Sequence, residues 1–454
     1  MIKSIKKVFN FGYDGAESGK RRNGAVHSKV KHEDDELKAK DRRALNGNTR
    51  DINRNFAIVS WAVRKHLDYV STFTFQAKTG NEALNQTLES IMSWYSRPEN
   101  CDVTGRHSLQ RMVRTAEACR TIDGDMGLGK ISNGKLQAIE GDRVAPPVGS
   151  KDHKIEDYPN GVKTTKAGKH KSYSVCSRLK GGRLAFERVI PARHVFWFGY
   201  YHRFDQTRGV SPLACAINSF VDIYEATNYA LAKAKIAQIF GMAFYRDAVE
   251  PIGDGDENES TSGEYEVGLN KGPFVLDLEP GDRAEFLENK TPSSEFQAFT
   301  GVMTAIALKS LDIPYCFYDE SAANYNGSRL AVVQYEQSAK AKRDDVRDLL
   351  NRITFWRLSI AILNDEIKLP AGMALKDIKF EWTPLGQPWL DPLKEIKADN
   401  EAVAGGLISR RRVCKRRGDD FNEIVNELAE EKELMDKLGL TPDTNYEVKD
   451  YETN

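Results

Sequence analysis

Apolar residues recur at helical spacing in the first part of the chain and in short extended runs further on. The helical spacing predicts helices within Asp51–Gln76, Leu84–Tyr95 and Ser108–Thr121. Short apolar runs separated by Gly, Asn, Pro and Lys then predict an antiparallel β region, with strands at Lys135–Glu140, Tyr173–Arg178, Arg183–Val189 and His194–Tyr200. The pattern predicts an α+β domain of roughly 200 residues, which is an ordinary domain size.

A long Ala-rich run from Ser211 to Phe240 follows a polar, Gly-containing turn. Ser211 suits a helix N-cap and Pro212 suits the first helical position, so the run predicts a helix roughly 45 Å long. Small Ala side chains on several sides allow other helices to approach closely. The pattern predicts another helix over residues 293–311 and a third long helix capped by Ser328.

Two polar stretches lie between these helices. Residues 246–289 carry thirteen Asp or Glu against three Lys or Arg, with strands predicted at Phe274–Leu278 and Ala284–Leu287. Residues 318–327 form a polar loop. Outside the helices, residues 14–50 are predicted to be a mobile arm with helical pieces, and residues 443–454 a disordered tail. Residues 367–390 are predicted to be extended, and Asp391 opens a last helical region that ends in an acidic helix from Phe421 to Leu438.

The charge balance restricts the classes of function. Among 454 residues, 66 are Lys or Arg and 66 are Asp or Glu, so the chain has no net charge. Such a balance argues against a protein whose main task is to clamp nucleic acid electrostatically. The six cysteines lie far apart, which indicates reduced thiols and no zinc site. The sequence pattern predicts neither a signal peptide nor a membrane-spanning run, so no membrane contact is expected.

Motifs for enzyme chemistry are incomplete. Gly124–Lys130 nearly matches a phosphate-binding loop, but Ile131 stands where the magnesium-binding Ser or Thr is required. A β-hairpin turn is the favoured interpretation, and a nucleotide-dependent DNA-packaging enzyme using Gly124–Lys130 remains the alternative. Asp254 starts a degenerate calcium loop, interpreted as solvated, and His194 is interpreted as a packing residue of an aromatic strand. No catalytic residue, metal or cofactor is predicted.

A dense basic cluster lies near the end of the chain. Two interpretations stay open: a surface that contacts phosphates, or a solvated surface that pairs with the acidic helix over residues 421–434. Its members are Arg410, Arg411, Arg412, Lys415, Arg416 and Arg417.

Four stretches in order resemble the portal proteins of tailed bacteriophages, of the lambda type. The central one is closest and reads Arg203-x-x-Gln206-x-Arg208-Gly209-Val-Ser-Pro212. The others are Thr49-Arg-Asp-Ile-Asn-Arg-Asn55, Asn324-Tyr325-Asn326-x-Ser-Arg329, and Asp391-Pro-x-Lys-Glu395 with Gly406-Leu-Ile-Ser409 and Gly418-Asp419. Together they span residues 49 to 430, and Asn326-Gly327 departs from the small hydroxyl residue that the family more often has.

The resemblance implies a portal-type α+β fold with a wing, two stem helices, a β-containing clip insertion and an α-helical crown. The layout it implies is an arm (1–50), first wing part (51–205), stem helix 1 (206–240), clip (241–290), stem helix 2 (291–312), tunnel loop (313–328), tunnel helix and return to the wing (329–394), crown (395–440) and tail (441–454).

The resemblance also implies a structural, non-enzymatic role. Such proteins form a ring, a dodecamer in the assembled head, at the capsid vertex through which double-stranded DNA passes. The implied partners are the terminase large subunit, head-completion and neck proteins, and the major capsid and scaffold proteins. The implied place is the virion, after assembly in the host cytoplasm.

Three sets of residues are expected to act in this role. The tunnel loop would line the channel through Asp319, Glu320, Asn324, Tyr325, Asn326 and Arg329. The clip would meet its partner through Asp256, Glu257, Glu259 and Glu264. The basic cluster would lie in the crown, where it could contact DNA.

Overall fold

The computed structural model describes residues 31–239, 242–246, 282–286, 293–322, 325–386 and 391–439. This part of the chain divides into two compact units, one of residues 218–307 and one formed by the chain on either side. Its α-helices are α1 Glu33–Glu36, α2 Ala39–Asn55, α3 Ala57–Val70, α4 Glu82–Tyr95, α5 Pro98–Cys101, α6 Leu109–Asp123, α7 Ile217–Ile239, α8 Ser294–Leu308, α9 Tyr325–Leu363, α10 Pro392–Ala404, α11 Arg410–Arg417 and α12 Phe421–Leu438.

The strands form four small antiparallel sheets within the described residues. Their orders are β1-β10, β3-β2-β7, β4-β5-β6 and β8-β9. The strands are β1 Phe73–Ala77, β2 Asp125–Lys130, β3 Leu136–Glu140, β4 Val162–Thr164, β5 His170–Arg178, β6 Leu184–Pro191, β7 Val195–Gly199, β8 Met242–Arg246, β9 Asp282–Phe286 and β10 Phe380–Pro384.

The larger unit has its main hydrophobic core where α4, α6 and α9 meet the β1-β10 pair and the inner face of β2. Leu88 of α4, Leu128 of β2 and Ile353 of α9 are completely buried there, because each lies on the apolar face of its helix or strand. A second core lies between the two three-stranded sheets, where Trp197 stacks on Tyr173 with ring centroids 4.6 Å apart. These two cores make one α+β body from distant parts of the sequence.

The smaller unit contains most of α7, the β8-β9 pair and α8. Met242 pairs with Phe286, and Arg246 pairs with Asp282, in an antiparallel ladder. The strand predicted at Ala284–Leu287 is therefore present but begins at Asp282. The strand predicted at Phe274–Leu278 lies outside the described residues.

Several helices and strands match their predictions within a few residues, and the differences have local causes. The helix predicted within Asp51–Gln76 is too long, because α3 ends at Val70 and the next residues form β1, paired with β10. The predicted mobile arm is wrong for its last part, because α2 buries Arg42, Asn46 and Thr49. None of the described helices is long and apolar enough to cross a membrane.

The starts of the two longest helices also differ from expectation. Ser211 accepts a hydrogen bond from the Leu213 amide, as predicted for a cap, but the first turn from Pro212 to Ala216 is 3₁₀ and α7 starts after it. Ser328 is not a cap, since α9 begins earlier, at Tyr325. His194 is exposed in a short 3₁₀ turn before β7, so its interpretation as a packing residue is wrong.

Candidate functional site: a buried ion cluster at the 203–212 motif

One buried carboxylate accepts hydrogen bonds from two residues of the 203–212 motif. Asp125, the first residue of β2, is fully buried, and the guanidinium of Arg208 grips it through two hydrogen bonds of 2.7 and 2.8 Å. The amide of Gly209 donates to the same carboxylate at 2.8 Å, and Arg42 from α2 donates at 2.7 Å. Three separate segments of the sequence therefore meet at Asp125.

Arg208 has no exposed surface, and every arm of its guanidinium finds an acceptor. Besides Asp125, its nitrogens donate to the carbonyls of Val144, at 2.8 Å, of Gly141, at 2.7 Å, and of Asn160. Burying a charge is costly unless it is paired and hydrogen-bonded in this way. The planar fork of arginine suits the arrangement, and lysine could not reproduce it.

The electrostatics of the cluster keep the carboxylate ionised. Burial raises the pKa of Asp125, but the charges of Arg208 and Arg42 outweigh burial, and the pKa lies below its ordinary value. Burial, followed by repulsion from Arg208, lowers the pKa of Arg42 to about 10. The cluster holds two cations against one anion, and backbone carbonyls supply the remaining acceptors.

Two glycines allow the motif to approach β2 closely. Gly124 has a φ of +92°, and a Cβ there would stand 2.4 Å from the carbonyl oxygen of Gly209. A Cβ on Gly209 would stand 2.0 Å from the carbonyl oxygen of Gly124. A side chain at either position would push the motif away from Asp125, because side chains rarely adopt such a φ or such contacts.

The turn before Arg208 is also fixed in place. Gln206 is buried and donates to the Arg208 carbonyl at 2.8 Å, while its own oxygen accepts from the His202 amide at 2.9 Å. Thr207 donates through its amide to Asp34 at 2.9 Å. Arg203 is exposed, and Pro212 begins the 3₁₀ turn that leads to α7. These contacts hold the turn in place within the larger unit, immediately before α7 begins.

A second charged cluster lies next to the first. Asp123, Glu140 and Asp142 place carboxylate oxygens within 4.8 Å of one another, which is a spacing that a metal ion could use. Arg50 donates to Asp123 at 2.6 and 2.5 Å, and Arg178 donates to Asp142 at 2.8 Å. These two guanidinium groups supply the positive charge, so the cluster is an ion-pair network that ties α2 to the β sheets.

The segment Gly124–Lys130 is neither a hairpin turn nor a phosphate loop. Gly124 ends α6, and Asp125–Lys130 form β2, the central strand of its sheet, paired with β3 on one side and β7 on the other. A phosphate loop needs free backbone amides to surround its ligand, and a strand paired on both sides does not offer them. Lys130 donates to the Arg193 carbonyl at 3.0 Å and lies 4.2 Å from the centre of the Phe196 ring.

The predicted tunnel loop is held at its base. Asp312 adopts a left-handed φ of +62° and accepts from Ser338 at 2.5 Å and from Lys342 at 2.9 Å, both on α9. Asp319 is half-buried and accepts from the Ser321 amide and hydroxyl at 3.0 and 2.6 Å. Glu320 is exposed in a 3₁₀ turn.

The rest of the loop set falls partly outside the described residues. Asn324 lies outside them, and for Tyr325 and Asn326 only the helical backbone of α9 is described. Arg329 is exposed on α9. The four acidic residues of the predicted clip surface, Asp256, Glu257, Glu259 and Glu264, also lie outside the described residues.

The basic cluster forms α11, and its partners differ from the predicted ones. Lys415 pairs with Glu381 at 2.5 Å, and Arg416 and Arg417 pair with Asp399 at 3.2 and 2.8 Å. These acids belong to β10 and α10, so the prediction of pairing with the acidic residues of α12 is wrong. Arg411 instead donates to the Asn422 amide oxygen at 3.0 Å, while Arg410 and Arg412 are exposed.

Asp125 and Arg42 belong to the buried ion cluster, and the sequence patterns do not predict them. The sequence does carry one signal for Asp125, which is its position at the start of the alternation Asp-Met-Gly-Leu-Gly, where a charged residue borders a buried strand. The motif supplied Arg208 and Gly209, but the partner of Arg208 lies 83 residues earlier in the sequence.

The model of the family described as phage portal protein, lambda family, matches residues 19–343. A probable portal protein of Halomonas phage phiHAP-1 is 22% identical over 387 residues, covering 79% of this chain and 72% of the relative. The portal protein of Escherichia phage N15 is 20% identical over 453 residues, covering 87% of this chain and 85% of the relative.

Two solved structures are similar in fold. One is a chain of the virion of a native gene transfer agent particle, with 14% identity, a TM-score of 0.50 and coverage of 88% of this chain and 94% of that one. The other is a chain of the neck of an empty particle computed with C6 symmetry, with 14% identity, a TM-score of 0.51 and coverage of 87% and 94%.

The α+β body with its long helices has the fold of the portal proteins, which are components of the head-tail connector. The chain belongs to the lambda family of phage portal proteins, because the family model covers most of its length. The resemblance and the portal-type α+β fold expected from the sequence are confirmed.

Proposed function

We propose that copies of this chain assemble into a closed ring, a dodecamer in the assembled head, whose axis forms the DNA channel at one capsid vertex. The observation that carries the proposal is membership in the lambda portal family over residues 19–343. A ring of identical subunits needs interfaces that join two different surfaces of the same chain and close on themselves. The long helices α7 and α8 would supply them as the stem.

Exposed apolar side chains on α8 support this role. Phe299, Val302 and Ile306 are 59%, 59% and 56% exposed and follow one helical face at spacings of three and four residues. On α7, Tyr229 and Leu231 are 72% and 52% exposed. A helix that leaves such residues uncovered gains hydrophobic stabilisation when a neighbouring subunit packs on them.

The same proposal assigns each described part of the chain to a region of a portal subunit. The body with the two cores is the wing, the β8-β9 ladder belongs to the clip, and α10 to α12 form the crown. The clip acids Asp256, Glu257, Glu259 and Glu264 would present an acidic annulus to the terminase large subunit during packaging and to neck proteins afterwards. Major capsid and scaffold proteins would surround the wing.

The channel lining is proposed to be the segment from Asp319 to Gly327. Its base is held by the contacts of Asp312 with α9, while its side chains include acids and amides that avoid strong pairing with phosphates. Such a lining lets a polyanion slide. The ring would assemble in the host cytoplasm and remain in the virion.

A packaging assay tests this function. Procapsids built with this chain as their portal should package double-stranded DNA, whereas deletion of Asp319–Gly327 should leave the ring intact and impair packaging or retention of DNA. Replacing the same segment with an equally long Gly-Ser sequence provides the control for loop length. Procapsids that package normally without the loop would contradict the proposed lining.

A further inference from the structure

An open groove of about 790 Å³ lies between α12 and the wing, in the larger unit. Its floor contains apolar side chains, among them the largely buried Phe73, Met92 and Trp382, between polar ones such as Gln76 and Ser93. One wall is α4 and the other is α12, a helix with no buried residue of its own. The groove can therefore receive a segment that carries both apolar and polar side chains.

The rim of the groove is acidic, and none of the described residues that line the groove is Lys or Arg. Glu423, Glu427 and Glu430 line it from α12 at helical spacings of four and three residues, and Glu82 lines it from α4. None of these four carboxylates has an ion-pair partner among the described residues, whereas Glu433 on the same helix pairs with Lys437 at 3.0 Å. Unpaired like charges that share one groove repel each other, so a cationic occupant would be stabilised.

The chain contains a segment with the complementary composition. Residues 1–30 carry seven Lys or Arg against two Asp or Glu. Within residues 1–13, the basic positions Lys3, Lys6 and Lys7 are interleaved with large apolar ones, Ile2, Ile5, Val8, Phe9 and Phe11. This combination suits a groove that has apolar and polar side chains on its floor and carboxylates at its rim.

The described chain starts beside the wing, which places the segment within reach. Glu33 and Asp34 hydrogen-bond to Asp205 and Thr207 of the 203–212 turn. Thirty residues before this attachment can span up to about 100 Å when extended, at roughly 3.3 Å per residue. Length therefore does not limit access to the groove.

We propose that residues 1–13 bind in the groove between α12 and the wing. Ile5 and Phe9 would lie against Phe73 and its apolar neighbours on the floor, and Lys3, Lys6 and Lys7 would face the carboxylates of α12. The attachment fastens the crown helix to the wing through the other end of the chain. It does not depend on ring formation, since the groove belongs to a single chain.

Photo-cross-linking in the full-length protein tests this proposal. We would replace Phe9 by p-benzoylphenylalanine and map the cross-linked peptides by mass spectrometry. Cross-links are expected to α4 around Glu82–Met92 and to α12 around Glu423–Glu430. Mixing isotopically light and heavy chains assigns each cross-link to one chain or to two, and either origin supports occupation of the groove by this segment.

Two triple variants of equal charge change make the test specific. Glu423→Gln with Glu427→Gln and Glu430→Gln should reduce the yield of groove cross-links about tenfold, if each removed ion pair is worth about 0.5 kcal/mol. The matched control, Glu431→Gln with Glu433→Gln and Asp436→Asn, removes three charges from the same helix at positions that do not line the groove. The cross-link yield of this control should stay within about twofold of the yield from the protein that keeps all of these acids.

Three outcomes would overturn the proposal. Cross-links that map elsewhere would show that the segment binds another surface. Equal decreases in the two triple variants would show a general effect of charge. Finally, the cross-linker at position 9 could form no cross-link to the groove while the groove triple variant changes self-association. That result would assign the groove to an interface between subunits. Circular dichroism on every variant confirms that the helices remain folded.

Discussion

At the scale of single residues, the account depends on buried charges that cannot be left unpaired. The guanidinium of Arg208 donates hydrogen bonds to Asp125 and to backbone carbonyls. Arg208 lies three residues before Ser211, which caps the 3₁₀ turn that precedes α7. Removing one partner of a buried ion pair costs more than the pair contributes, because the other charge is left unsatisfied. The placement of the 3₁₀ turn that precedes α7 therefore depends on this contact.

Arg208→Lys is expected to lower the free energy of unfolding by about 3 kcal/mol, since lysine keeps the charge but cannot make the bidentate grip or the hydrogen bonds to the carbonyls. Urea unfolding at fixed protein concentration measures the change. The control is Arg203→Lys in the same motif, which is exposed and should stay within about 0.5 kcal/mol. Equal stability of the two variants would contradict the anchoring role.

A buried histidine gives the molecule a pH dependence near neutrality. His66 has no exposed surface, and its Nε2 lies 2.8 Å from Glu117, which also binds Arg120 at 2.8 Å. Burial lowers the pKa of His66, and the charges of Lys342 and Arg120 act in the same direction, against the attraction of Glu117. The folded protein thus keeps this imidazole neutral where the unfolded chain would protonate it.

The contribution of His66 to the free energy of unfolding is fully present above about pH 6.5, the pKa of histidine in the unfolded chain. It decreases as the pH falls towards the lower pKa of His66 in the folded protein. The unfolding free energy should therefore fall by up to about 1.4 kcal/mol per pH unit below pH 6.5. His66→Gln keeps a donor for Glu117 but does not titrate, so its stability should decline less between about pH 7.5 and 5.5. Parallel pH profiles of the two proteins, from urea unfolding, would disprove this assignment.

The sequence alone predicts some of these residues and not others. Arg208, Gly209 and Gln206 are recognisable because they form a local motif. Asp125 is not, because its role comes from pairing with a residue remote in sequence, and because the surrounding glycines resemble a phosphate loop. In the structure, those glycines serve close packing: a Cβ on Gly127 would stand 2.8 Å from Val195.

At the scale of helices and strands, local signals locate most elements, while long-range pairing decides the exceptions. Ser108 caps α6 as its sequence indicates, and Asp391 caps α10 with Pro392 in its first turn. β1 is not predicted, because Phe73–Ala77 continues a helical pattern and becomes a strand only by pairing with β10, some three hundred residues later. Such a tertiary contact overrides the local propensity.

The basic helix α11 has two different surfaces, and they are expected to behave differently. Lys415, Arg416 and Arg417 are engaged by Glu381 and Asp399. Exposed Arg410 and Arg412, with Arg411 beside them, are the ones available to phosphates. Under the proposed channel function, only the second set would contact DNA.

The triple variant Arg410→Gln, Arg411→Gln, Arg412→Gln should weaken binding of double-stranded DNA and reduce the salt slope of log K by about 0.9 for each phosphate that is no longer neutralised. The matched variant Lys415→Gln, Arg416→Gln, Arg417→Gln should mainly lower the unfolding temperature. Fluorescence anisotropy over a series of salt concentrations separates these effects. An unchanged slope in the first variant would argue against DNA binding by the crown.

At the scale of the whole molecule, a neutral chain with exposed apolar helices fits assembly with copies of itself better than a monomeric existence. The zero net charge removes long-range repulsion between identical subunits. The apolar residues of α8 supply surface that a neighbouring copy can cover. The fold class is predictable from the sequence because the motif order is specific, whereas the buried network requires the structure.

The most direct test of the ring is the mass of the purified protein in solution, measured by mass photometry and compared with negative-stain images. The account expects a particle roughly twelve times the chain mass, round and with a central hole. A particle that stays near 51.1 kDa across a wide range of concentrations, with no hole in the images, would contradict it.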